Sequence, residues 1–444
     1  MIFGAAIAAV TGYLIALFWL ASWQDRAREE NAVASTTADW LSRNQSLIYG
    51  LSLGVYCTSW TFFGGVGTAA RDGLDFLPIY LGPFLVFTIG FGLVRKILAQ
   101  SKAHHSTSIA DFLSARYGKS ASVAALVAII ATVGSVPYMA LQLRSVGTSL
   151  LMLSPELEAQ VAADEIVLMV TGLMALFAIL FGARRVDKAG ENAGLVLTIA
   201  IESAVKLVAL LALAVFALVL IWGAPQPVSQ AQGIFQAGQI DARFLTLTLI
   251  AACAALCLPR QFHMSFVEAE KSRPDKTMQW TFPVYLLLTS IAIIPIVLAG
   301  ATALPAGTNA DTIVLALPLA QGNEALALLV FIGGFSASVG MIVVASVALS
   351  TMITNDLIAP LVFRRALSGR GDRSALASRL LMTRRLVIGA LLLLGYMFYL
   401  GFGSLETLAG LGILAFAALA QFAPGLVLGV ISQTGNRAGM IGGL

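Results

Sequence analysis

Thr58-Ser59-Trp60-Thr61-Phe62-Phe63-Gly64-Gly65-Val66-Gly67 interrupts an apolar run that starts near Leu47. Hydroxyls and three glycines in one stretch weaken a helix and leave its backbone groups loosely bonded. A second run, Leu245–Leu258, meets Pro259-Arg260-Gln261-Phe262-His263. Proline lacks the amide donor and crowds the preceding turn. Each interruption sits inside a segment otherwise apolar enough to cross a bilayer, and that coincidence decides how the chain is read.

The surrounding composition is that of a membrane protein. The 444 residues are 58% hydrophobic and 11% charged, with a mean hydropathy of +0.88. Soluble domains carry about 25% charged residues, so an ordinary soluble enzyme is excluded. A hydrocarbon core about 30 Å thick needs about 20 apolar residues per helix. Spans are expected near Ile2–Trp23, Leu47–Gly67, Phe76–Leu98, Ser122–Leu151, Ile166–Phe181 and Ala193–Trp222. They continue with Phe244–Phe266, Trp280–Gly300, Ala325–Leu357, Leu386–Phe402 and Thr407–Ile431. The first lacks a basic leader and is long enough to span, so it reads as a retained helix rather than a cleaved signal. The expected fold is an all-α polytopic membrane protein of about eleven transmembrane helices.

The loops orient the bundle. Basic residues collect in alternate loops: Arg26 to Arg43, Arg95 to Lys119, Arg184 to Lys188, Lys271 to Lys276, Arg364 to Arg385, and Arg437. The intervening loops hold Arg71 and Arg243 and otherwise read acidic, as in Glu156, Glu158, Asp164 and Glu165. Cytoplasmic loops attract Lys and Arg, so the N-terminus is expected outside a bacterial inner membrane. Basic residues spread over short interhelical loops, with a net charge of only +4, do not read as a nucleic-acid surface. Cys57, Cys253 and Cys257 lie in apolar runs without CxxC spacing, so neither disulfide nor zinc site is expected, and no metal or cofactor is assigned. Ser108 to Asp111 resembles a capping box opening a short interfacial helix, and His104-His105 reads as a solvated pair.

Beyond the extra helix (residues 1–24), ten spans divide into five-helix halves, 45–222 and 243–432. An odd number in each half inverts the second relative to the first, and matched interruptions in the first helix of each half point to a solute site between them. The competing reading makes Gly64–Gly67 a close-packing surface and Pro259 a simple kink. Glu202 and Lys206, at i and i+4 in the sixth span, share a helical face. Intramembrane charges often serve ion paths, so the pair reads as a coupling element or a buried structural bridge. Tyr138 and Gln142 share a face of the fourth span, while Arg144 is expected to snorkel outward. Gly333 to Met341 reads as a tight packing stretch in which Ser336 and Ser338 could also touch solute.

Several segments resemble the sodium/solute symporter family, whose core is the LeuT-type five-plus-five inverted repeat. They are Val55-Tyr-Cys-Thr-Ser-Trp-Thr-Phe-Phe-Gly64, Phe76-Leu-Pro-Ile-Tyr-Leu-Gly-Pro83 and Thr107-Ser-Ile-Ala-Asp-Phe-Leu-Ser-Ala-Arg-Tyr-Gly118. Leu258-Pro-Arg-Gln-Phe-His263 and Ser350-Thr-Met-Ile-Thr-Asn-Asp356 complete the set. Within that family the chain looks most like the N-terminal transporter domain of CbrA-type sensor histidine kinases. The resemblance implies a small polar solute, an amino acid with histidine as first guess, and a response regulator reached through a kinase region absent here. Residues 433–444 read as the start of a further, truncated helix, and no catalytic residues are expected in this segment.

Two departures from the family pattern bear on the ion. The hydroxyl-pair positions of the sodium site fall on Gly340 and Met341, which offer no side-chain oxygen for a hard cation. An acidic residue of sodium-dependent members is replaced by Tyr56. Glu202 falls where the family has an Asp, and by resemblance to proton-coupled carriers Lys206 stands in for the ion. Tyr56, Thr58, Ser59, Trp60 and Thr61, with Tyr138 and Gln142 and with Arg260, Gln261 and His263, form the expected solute site. Transport is expected to be proton-coupled or uncoupled. The alternatives are a non-transporting solute receptor and a plain sodium/solute symporter.

Overall fold

A computed structural model describes residues 2–29, 41, 43–154, 156, 160–182, 192–223, 234–235, 240–269, 275–362, 373–402, 407–432 and 435–444. The basic segments with Arg184, Arg185 and Lys188, with Lys271 and Arg273, and with Arg364, Arg365 and Arg370 lie outside these residues, as do Glu158 and Arg28's side chain. The described chain is helical, without strands.

α1 (Ile2–Glu29) is followed by the interrupted segment: α2 (Gln45–Ser52), a 3-10 turn Leu53–Tyr56, a π-turn Trp60–Gly64 and α3 (Gly65–Asp72). Next come α4 (Pro78–Phe87), α5 (Phe91–Ala103), α6 (Ile109–Arg116), α7 (Ala121–Leu153), α8 (Ala163–Gly182) and α9 (Ala193–Gly223). The second half holds α10 (Ala242–Cys257), a turn Pro259–Phe262 with the π-turn His263–Val267, α11 (Lys276–Ala303), α12 (Ile313–Ala320) and α13 (Glu324–Met352). α14 (Arg373–Phe402), α15 (Leu408–Ala420), α16 (Phe422–Ile431) and α17 (Arg437–Gly443) complete it.

Seven of these helices are long and apolar enough to cross a membrane, and ten spans result when each of three bent pairs counts once. The interrupted segment 45–72, the other expected span, has pieces individually too short to be counted among them. This is a multi-pass membrane protein. α13 forms its centre: 83% of its apolar window is buried, against 22% for the peripheral α1, which packs on α9 and α13.

The two halves share a pattern. In each, the first helix is broken and a short helix lies between the second and third spans: α6 in one half, α12 in the other. α6 lies at the end of the bundle where Arg116 donates to the Gly429 and Ser432 carbonyls. α12 lies at the opposite end, where the neighbouring Asp311 pairs with Arg71 at 3.0 Å and accepts from the Leu408 amide. Opposed placement is what an inverted arrangement predicts. The expected cap on α6 is present: the Ser108 hydroxyl accepts from the Asp111 amide, while the Asp111 carboxylate reaches back to the Thr107 amide, one residue beyond a reciprocal box.

Both breaks are real. Cys57 is extended (φ −78°, ψ 103°) between the 3-10 turn and Ser59. Leu258 is likewise extended (φ −58°, ψ 126°), as the residue before a proline prefers. Pro259 therefore opens a new helical turn, where its missing amide costs nothing, and the chain bends there by 52°.

Candidate functional site

The first break is strapped by side chains from two neighbouring helices. From α9, the Lys206 ammonium donates to the Gly54 carbonyl at 3.0 Å and the Cys57 carbonyl at 2.8 Å. From α7, Gln142 Oε1 accepts from the Ser59 hydroxyl at 2.7 Å and amide at 3.2 Å, and the Tyr138 hydroxyl meets Thr58 Oγ1 at 2.7 Å. Thr58 Oγ1 also accepts from the Trp60 amide, and Tyr80 donates to the Thr61 carbonyl. The sequence reading left these backbone groups open for a solute. Here much of the interrupted main chain is already satisfied internally, as a buried backbone requires.

The Glu202–Lys206 face also resolves differently from a bridge. Lys206 is drawn to the break's carbonyls, and no Glu202–Lys206 ion pair is present among the described residues. Glu202 Oε2 has no hydrogen-bond partner and lies against α13 where Gly340 leaves room: a Cβ there would sit 2.2 Å from that oxygen. A cavity of about 10 Å³ beside Lys206, lined by Thr58, Thr61, Tyr285 and Thr289, has room for about one water.

From the second break, Arg260 places its guanidinium 4.2 Å from the centre of the Tyr138 ring. It is 2% exposed, and its Nε and Nη2 have no hydrogen-bond partner. A desolvated cation–π contact is worth about 2 kcal/mol. A cation in a span costs about 2.5–3.5 kcal/mol even on the lenient scale, and each unmet buried donor adds about 1–3 kcal/mol. The ring alone does not offset Arg260.

Gln261 donates to the Leu53 carbonyl and Ser265 Oγ, which leaves its Oε1 without a partner. His263 stands apart: its Nε2 lies 3.0 Å from Glu268 Oε1, and Glu268 accepts twice from Asn192. The imidazole faces Glu268 rather than the other site residues, a position the string Pro259–His263 does not reveal. Tyr56 turns away as well, donating to the Ile79 carbonyl.

Sequence reasoning missed Phe416. Its ring stacks on Tyr138 (5.8 Å, 11°) and meets Trp60 edge-on at 4.7 Å, so α15 supplies one wall of the cluster. An aromatic in an apolar helix carries no local signal for such a role. Arg144, expected at the interface, lines a crevice of about 60 Å³ with Phe63, Ser145, Thr148, Asn309 and Asp311. Ser336 and Ser338 follow the packing reading: Ser336 bonds Tyr13 and the Glu202 carbonyl, and Ser338 donates back to Gly334.

In three dimensions the chain matches the substrate-bound, outward-open structure of a Na+-coupled sialic acid symporter, with a TM-score of 0.70 over 97% of this chain and 87% of that one. This chain has a transporter fold. Sequence identity in that match is 14%, and two mutant forms of the Eremococcus coleocola manganese transporter match at TM-score 0.52 and 13% identity, over 93% of this chain and 85% of theirs. No family model and no curated relative matches the sequence. Within this fold, the two breaks, Lys206, Arg260 and the Trp60–Tyr138–Phe416 cluster come together inside the bundle.

Both ends of the transporter fold are bridged around that centre. On one side Arg71 pairs with Asp311, and Arg243 with Asp75 at 3.5 Å. On the other, Tyr49 donates to the Ser265 carbonyl and Lys102 to the Val267 carbonyl.

Proposed function

We propose that this chain is a transporter-like sensory domain that binds a small amino acid and moves it across a bacterial inner membrane, N-terminus outside. Movement is proton-coupled or uncoupled rather than sodium-coupled. The observation that carries the reading is Lys206 on the carbonyls of Gly54 and Cys57. Carbonyls freed by a broken helix suit a cation, and a covalently attached ammonium competes for them with any dissolved ion. Proton loss from Lys206 would take the charge out of both bonds and so weaken its hold on the break, and proton gain would restore it, which ties the shape of the site to proton activity.

The domain boundaries that accompany this reading are an extra helix at 1–24, inverted halves at 45–222 and 243–432, and the start of a further helix at 433–444. The family resemblance supports histidine as the first solute to try. It also supports a parent chain in which solute occupancy biases two conformations and a histidine kinase passes the shift to a response regulator. Such bias requires unequal affinity for the two states.

Uptake into proteoliposomes under imposed gradients tests the proposal. Accumulation that follows a pH gradient, or equilibrates without any gradient, is expected. Strict dependence on sodium with indifference to pH would refute it. Binding without uptake would leave a receptor.

A further inference from the structure

Within this transporter reading, we infer that the solute carries a net negative charge, with its carboxylate seated on Arg260. The buried ionisable residues among those described are Glu202, Lys206, Arg260, His263 and Glu268, apart from tyrosines and cysteines. Glu268 lies toward the end of the bundle where Lys102 takes the neighbouring Val267 carbonyl and Asn192 donates twice to Glu268, eight residues along the chain from Arg260. That leaves two cations and one carboxylate at the centre of the bundle. Lys206 is satisfied by carbonyls, and Glu202 Oε2 is packed against Gly340. The surplus charge therefore rests on Arg260, whose Nε and Nη2 point at no protein acceptor. A guanidinium edge with open donors matches the two oxygens of a carboxylate.

Net charge separates solute classes that share a carboxylate. A zwitterion such as histidine supplies the carboxylate but brings an ammonium of its own, leaving the surplus in place. Its ammonium would also need acceptors of its own. A phosphate ester, near two negative charges at neutral pH, overshoots the balance. A monoanion closes it: an acidic amino acid, or a small hydroxy- or oxo-acid.

The test is thermal unfolding of the purified full chain with isosteric pairs: glutamate against glutamine, aspartate against asparagine, lactate against lactamide, with histidine and glycerol 3-phosphate alongside. The acids should raise Tm and their neutral partners should not. Arg260→Gln should weaken the acid response about tenfold or more. Equal shifts by glutamine or histidine overturn the net-charge assignment, and so does a panel in which no monoanion acts. An acid response retained in Arg260→Gln overturns the role of Arg260.

Ligand-free Arg260→Gln supplies a second readout. Its Tm should rise, because an uncompensated buried charge has been removed; a fall means the protein already neutralises Arg260. Uptake keeps the two readings distinct. An acid that binds without being moved sinks transport and leaves the charge assignment, whereas uptake of a zwitterion alone does the reverse.

Discussion

The Tyr13 hydroxyl lies 2.7 Å from Ser336 Oγ, and Ser336 donates in turn to the Glu202 carbonyl at 3.2 Å. Since the Ser336 proton is directed at Glu202, Tyr13 is the donor of the first bond. The extra helix α1 is therefore fastened to the turn of α9 that carries the buried carboxylate. Tyr13→Phe should cost about 0.5–1.5 kcal/mol, and a thermal or denaturant titration reads the loss. In a Ser336→Ala background the same change should cost measurably less. Full additivity would mean that the two hydroxyls do not interact.

Lys206 governs the first break. Lys206→Met strips a donor from two buried carbonyls, at about 1–3 kcal/mol each, so Tm should fall and uptake of any identified solute should drop at least about tenfold. Exchanging sodium for choline at constant ionic strength should leave the wild-type Tm unchanged. A rise specific to sodium would place an ion where the ammonium is drawn.

Gly340 is required by Glu202, because a side chain at 340 would collide with the carboxylate. Gly340→Ala should destabilise by about 1–3 kcal/mol, the usual cost of overpacking. Combined with Glu202→Ala the penalty should largely disappear. A coupling energy below about 0.5 kcal/mol in that cycle would separate the two residues.

Asp311 ties α3 to α15, pairing with Arg71 and accepting from the Leu408 amide, and Gly67 faces it so closely that a Cβ would overlap its Oδ1. Asp311→Asn should loosen this end. The Arg71 side chain is 31% exposed, so solvent screens the pair and its loss is worth at most about 1 kcal/mol, or about fivefold in a gate equilibrium. A cysteine at Ser145, in the adjoining crevice, should then react faster with a polar maleimide. Raising the salt concentration should move the wild type in the same direction.

Much of the architecture was legible along the chain. The span positions, an interruption near Thr58, the break at Pro259 and the cap at Ser108 follow from apolar length, hydroxyl content and the backbone limits that proline imposes. The expected continuation of the first interruption through Gly64–Gly67 is instead helical, and the extended residue is Cys57. Helices in a bilayer must satisfy their own backbone, so a sequence unfit for that announces itself.

What each polar group does at the breaks was decided by packing. Glu202 and Lys206 read as partners from their spacing, yet Lys206 bonds carbonyls of residues 54 and 57 from another helix while Glu202 turns to Gly340. His263 lies against Glu268, which Asn192 holds, and Phe416 arrives from a distant helix to wall the cluster. A buried charge takes whichever partner desolvation leaves within reach, and that partner is set by how helices far apart in sequence cross. Local pattern thus determined where the helices run and fail, and only the tertiary structure decided that Arg260 is the charge left uncompensated.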